Sequence, residues 1–171
     1  MHTRARRTGP AATPAERRLR DKIQKWSLTE LRPKNHLVGR LVEFAPLCDA
    51  IAAAEQLKVL YLQSQPHLDD AALGCLASAL ERNRGITGVN LGELPSVTRA
   101  GWRRFIDRVP STSLIDCYAQ PAGGGPREED CRQLKRAIIA NRKRDGVARG
   151  THAGMWRQCD YGQSGRCNFL R

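Results

Sequence analysis

The sequence predicts an α/β protein in which short strands and helices alternate and stack side by side as a short solenoid. Three observations predict it. Apolar residues recur with a period near 29, each period holds a strand-like stretch and then a helix-like one, and turn residues separate the two. In the strand stretches Leu57, Leu60 and Leu62 recur as Ile86, Val89 and Leu91, and again as Leu114, Cys117 and Ala119. In the helical stretches three columns run Phe44, Leu73, Trp102, Cys131; then Leu47, Leu76, Phe105, Leu134; then Ile51, Leu80, Val109, Ile138. One such unit cannot bury its apolar side alone, so the units must share a core with their neighbours.

Taken in order, residues 1–13 form a basic N-terminal tail. Thr13-Pro14-Ala15-Glu16 is a capping box with Pro at the first helical position. Leu19, Ile23 and Trp26 follow at helical spacing, so residues 14–27 are predicted to be a helix that covers the open end of the first repeat. Residues 28–143 hold four repeats of about 29 residues. In the first, Leu28 and Leu31 stand one period before Leu57 and Leu60, but Pro33 replaces a strand Leu. Proline donates no ladder hydrogen bond, so this strand is predicted to be a degenerate edge. Asp69 and Asp70 suit the start of the second helix, and Gly85 suits the left-handed position after its end. Ser96 or Thr98 can cap the third helix, and Pro110 stops it. Pro126 with Glu128, Glu129 and Asp130 opens the last helix, where negative charge meets the helix dipole, and Lys143 and Arg144 sit at its other end. Residues 144–171 form a basic C-terminal extension. Met155, Trp156, Tyr161, Phe169 and Leu170 make it too apolar for a plain linker, so it is expected to fold back or to order on a partner.

Leu57-Lys58-Val59-Leu60-Tyr61-Leu62 and Ile86-Thr87-Gly88-Val89-Asn90-Leu91 match an L-x-x-L-x-L core. On these residues the chain resembles the leucine-rich repeat proteins of the longer, ribonuclease-inhibitor-like type. The resemblance implies parallel strands on a concave face, helices on a convex face, and partner binding on the concave sheet. It departs from the family where an Asn or Cys usually holds the turn after the strand. Those positions are Gln65, Leu94 and Ala122, so that ladder is missing or replaced.

Charge adds a second reading. The 171 residues carry 29 Lys+Arg against 17 Asp+Glu, a net charge of +12. Residues 1–25 carry +6 and residues 132–171 carry +8, which leaves the middle at −2. A near-neutral body with basic ends reads as a folded module that docks on something acidic. No apolar run is long enough to span a membrane, and no signal-peptide pattern opens the chain. Six cysteines without such a signal read as reduced thiols, four of them (Cys48, Cys75, Cys117, Cys131) in segments expected to be mostly buried.

Strand alternation sends Leu60 and Leu62 inward, so Val59, Tyr61 and Gln63 are expected on the open sheet face with Asn90, Asp116 and Tyr118. A row Arg32–Tyr61–Asn90–Tyr118 then crosses the strands, and these residue types make good contact anchors. The simpler account is a solvated sheet face. Arg4, Arg6, Arg7, Arg17, Arg18 and Arg20 at one end, and Lys143, Arg144 and Arg149 at the other, are the expected contacts to an acidic surface. Gly123-Gly124-Gly125 lacks the spacing of a phosphate loop and reads as a lengthened turn. His152, Cys159 and Cys167 fall short of the four ligands a zinc site needs, so no metal and no cofactor is expected. No catalytic spacing emerges, and no enzyme is expected.

The leading expectation is a non-enzymatic interaction or scaffold subunit of a larger assembly. Its partner would be a protein with an acidic surface, a cytoskeletal polymer among the candidates, in the cytoplasm or on the cytoskeleton. The alternative is an RNA-contacting subunit of a ribonucleoprotein such as an organellar ribosome, which would place it in mitochondria. Phosphate contacts would then make binding fall steeply with salt.

Overall fold

Four parallel strands line up in chain order. The computed structural model describes residues 14, 17, 30–31, 44–63, 65, 68–119 and 126–146. Among them the strands are β1 (Glu30–Leu31), β2 (Val59–Tyr61), β3 (Gly88–Gly92) and β4 (Asp116–Ala119). Pairing advances by one period at each step: Glu30 lies opposite Val59, Val59 opposite Gly88, and Gly88 opposite Asp116. Parallel neighbours need a long crossover, and helices supply it. These are α1 (Phe44–Ala53), α2 (Asp70–Arg82), α3 (Arg99–Arg108) and, after β4, α4 (Glu128–Arg144). A 3-10 turn, Val109–Ser111, closes α3, with Pro110 inside it.

Each helix packs on the next, α1 on α2, α2 on α3 and α3 on α4. The core lies between this helix layer and the sheet. Leu60, Leu62, Val89, Leu91 and Ala119 meet Leu47, Leu76, Phe105 and Leu134 there. Of the twelve residues in the three helical columns, eleven are buried and Phe44 is half-buried. The spacing therefore marks the helix sides that face the sheet. Trp102 is the largest fully buried side chain, and its ring meets that of Phe105 edge to face, with centroids 6.2 Å apart.

The caps follow side-chain chemistry. Asp69 Oδ1 accepts the Ala72 N–H at 2.8 Å, and Thr98 Oγ1 accepts the Gly101 N–H at 3.2 Å. Gly85 does not take the left-handed role expected of it: among the described glycines only Gly92 and Gly146 have positive φ. The end of α2 is instead capped by Asn83, in extended conformation. Gly85 is small for another reason, since a Cβ there would lie 2.9 Å from the Glu55 carbonyl oxygen. Pro14 and Arg17 are helical and exposed. The rest of the predicted capping helix, Pro33, the 1–13 tail and the extension beyond 146 lie outside the described residues.

Candidate functional site

The sheet row expected to stand open is buried at Tyr61 and Asn90 and half-buried at Tyr118. Tyr61, Asn90 and Tyr118 do lie side by side in register. However, Val59 and Tyr61 are each 3% exposed, Asn90 5% and Asp116 4%, while Gln63 and Tyr118 are half-buried. Tyr61, Asp116 and Tyr118 are each already engaged by a partner group. Alternation along a strand fixes which face a side chain takes, not whether that face meets water. Parallel sheets are commonly covered on both faces, and β2 and β3 are buried throughout. Arg32 lies outside the described residues.

Gln65 is buried, and its Nε2 donates to the Gln63 carbonyl at 3.1 Å, holding its own turn. Leu94, one period on, is buried and apolar. Ala122 lies outside the described residues. Among the described residues, the side-chain oxygens of Gln63, Gln65 and Asn90 are buried without a hydrogen-bond donor.

On the helix layer, carboxylates and arginines from successive helices cross the seams. Arg82 meets Asp49 at 2.9 Å across α1 and α2. Arg104 meets Asp70 at 3.0 Å, and Arg108 grips both oxygens of Glu81, across α2 and α3. Arg108 also donates to the Gly74 carbonyl and to Ser78 Oγ. Asp70 accepts both the N–H and the hydroxyl of Thr98, the cap of α3, at 2.7 and 2.6 Å. Burial alone would raise the Asp70 carboxyl, but these bonds and the Arg104 charge outweigh it and hold it below its usual value. Gly101 keeps this seam tight: a Cβ there would lie 2.2 Å from Asp70 Oδ1.

Among the described residues Asp130 is the most enclosed acid, with a side chain only 2% exposed. It receives Arg99 Nε at 2.9 Å, Arg103 Nε at 3.0 Å and the Arg127 N–H at 2.9 Å. It therefore does more than complement a helix dipole, because it ties α4 to α3. The Arg99 hydrogen bond, with help from Arg127 and Arg103, holds its carboxyl far below the usual carboxylate range. A folded-state pKa depressed in this way adds stability that is complete above the unfolded value of about 3.9 and lost as pH falls below it. Asp130→Asn should therefore cost about 2–3 kcal/mol at pH 7. The gap to the native chain should narrow below about pH 4, as read by urea melts across pH 3–7. A gap that stayed constant with pH would show that Asp130 is not the acid-sensitive tie.

The cations of α4 divide into two sets. Arg142 donates to the Ile115 carbonyl, and Arg144 to the carbonyls of Pro110 and Thr112 and to Asp145. Arg144, expected as a contact to an outside surface, is thus spent inside the chain. Arg132, Lys135, Arg136 and Lys143 make no ion pair among the described residues, and all but half-buried Lys135 are exposed. They lie within one side of the helix, with half-buried Ile139 among them. Arg132 stands one period after Arg103, and Lys135 one period after the buried Ile106. The outer side of the last described helix is therefore an unpaired basic stripe. Lys143, expected to contact an acidic surface, lies in it; Arg132, Lys135 and Arg136 were not singled out by sequence reasoning, although helical spacing would have grouped them. Arg17 is exposed, and Arg4, Arg6, Arg7, Arg18, Arg20 and Arg149 lie outside the described residues.

A buried polar column also escaped the sequence reading. Asn83, Thr112 and Asn141 stand 29 residues apart, at the helix ends. Asn83 Nδ2 reaches back one repeat to the carbonyls of Ile51 and Ala54, at 2.6 and 2.8 Å, while its Oδ1 accepts the Gly85 N–H. Asn141 Nδ2 does the same to Val109 and Leu114, at 3.1 and 2.8 Å. The shorter Thr112 hydroxyl stays within its own turn, on the Val109 carbonyl. The same 29-residue comparison, applied to polar residues, would have found this column.

Burial pushes the thiols of Cys48 and Cys117 well above their ordinary value, which disfavours the reactive thiolate. Among the described residues no group of acids, histidines and cysteines is placed to hold a metal ion, and no helix is long and apolar enough to cross a membrane. His152, Cys159, Cys167 and Gly123-Gly124-Gly125 lie outside the described residues.

No protein-family model and no curated protein matches the chain. Among solved structures it is similar to leiomodin-1 actin-binding site 2, with a TM-score of 0.45 and 11% identity over 77% of this chain and 90% of that one.

Proposed function

We propose that the chain is a leucine-rich-repeat-type solenoid that works without catalysis, as a recognition or scaffold subunit docking on an acidic protein. The observation that carries this reading is the contrast between two neighbouring helices. The arginines of α3 are taken up by acids of the adjoining helices, whereas Arg132, Lys135, Arg136 and Lys143 of α4 make no ion pair among the described residues. Unpaired cations on a rigid element raise the encounter rate with an acidic surface and fix its orientation. The basic ends of the chain would add to the same field. A protein fits this face better than RNA because the rings of Trp102 and Tyr61 are buried and cannot stack on bases. The sheet row takes no part in this reading.

The test is a pull-down of the intact chain at moderate salt, with and without ribonuclease. Protein partners should survive digestion and should be lost with the triple variant Arg132→Glu, Arg136→Glu, Lys143→Glu. Loss of every partner on digestion would instead assign the chain to a ribonucleoprotein.

A further inference from the structure

We infer that the outer side of α4 receives an acidic helix of the partner, laid alongside it as one more member of the helix layer. This rests on the docking role proposed above and adds the shape and spacing of what docks. Within the chain, helices meet helices through arginine–carboxylate pairs at every seam: Arg82 with Asp49, Arg108 with Glu81, and Arg99 and Arg103 with Asp130. Arg132 repeats the position of Arg103, which holds the first-turn acid of the helix that follows. The outer side of α4 thus carries the half of a seam that attracts carboxylates.

Another copy of the chain's own repeat does not fit there. Where α3 turns the buried Ile106 into the core, α4 has Lys135, and apolar packing against it would strip the ammonium of water. A helix bearing acids keeps the ammonium satisfied. The stripe from Arg132 to Lys143 is about 16 Å long, or three turns, and Arg132 and Arg136 are about one turn apart. A partner helix with Asp or Glu at i, i+4 and i+11 presents charges at the same intervals. Ile139, half-buried between the cations, offers one apolar contact at mid-length. Glu128 and Glu129 set the limit at the other end, since acids of the partner would be repelled there.

The experiment titrates the intact protein into two fluorescently labelled acidic peptides of about three to four turns. Both carry Glu at those positions and one Leu; in the second, a central Pro-Gly pair breaks the helix at the same net charge. Anisotropy should show the helical peptide bound at least tenfold more tightly. The variants Arg132→Glu and Arg136→Glu should weaken it at least tenfold while the melting temperature stays put. An oligothymidylate of equal charge should not displace it. Equal affinity for the two peptides would overturn the helix-docking inference and leave the acidic-partner reading standing. Binding of neither peptide would overturn both. Displacement by the oligonucleotide would overturn both in favour of a nucleic acid.

Discussion

Trp102→Ala should lower the stability of the folded chain by about 3–5 kcal/mol, the cost of emptying a fully buried aromatic site. At roughly 4–8 °C per kcal/mol for a small domain, the melting temperature should fall by more than about 12 °C. The effect is large because Trp102 stands in the column that faces the sheet and meets Phe105, one turn on, edge to face. Trp102→Phe separates volume from polarity. The indole N–H is buried without an acceptor among the described residues, so removing it discards a group that was already a cost. Phenylalanine should therefore recover most of what alanine loses. Circular dichroism melts of the two variants check the pair; equal losses would mean that the indole N–H, not the filled volume, sustains the site.

Asn83 should give the second large effect, and its ordering of variants is the informative part. Asn83→Ala removes three hydrogen bonds, two donated to the previous repeat and one accepted from Gly85, at about 1 kcal/mol each. Asn83→Asp preserves the shape and the acceptor for Gly85. It also sets a buried carboxylate against the carbonyl oxygens of Ile51 and Ala54, where two donors stood. The aspartate variant should therefore be the less stable of the two at pH 7 despite being nearly isosteric. Asn141→Ala should cost less than Asn83→Ala, because it removes two hydrogen bonds where Asn83→Ala removes three. Denaturant melts at pH 7 rank the three; an aspartate variant more stable than alanine would show that the donors of Asn83 are not what latches the repeats.

Much of the fold was legible because burial on a shared core must repeat when the unit repeats. Leu60 and Val89, or Leu76 and Phe105, occupy equivalent places in successive units, so the period exposes them. The starts of α2 and α3 were legible for a local reason, since Asp69 and Thr98 bond amides three residues away. Gly85 misled for the converse reason: its smallness answers the Glu55 carbonyl, 30 residues earlier in the chain, and not its own φ. The candidate site was less legible. The row of Tyr61, Asn90 and Tyr118 was placed correctly in register, but its exposure depends on what else packs on the sheet. Arg99 and Arg136 look alike in sequence, yet one is bonded to Asp130 and the other is open.

By itself, then, the sequence determined the strand–helix alternation, the sides that turn inward and the concentration of positive charge toward the two ends. Only the tertiary structure decided which cations are consumed at the seams, which amides latch one repeat to the last, and which helix side stays open. Periodicity is a property of neighbours along the chain and survives without knowledge of packing. The pairing of charges some 30 residues apart depends on how closely and at what offset two helices are laid together, which no local pattern encodes.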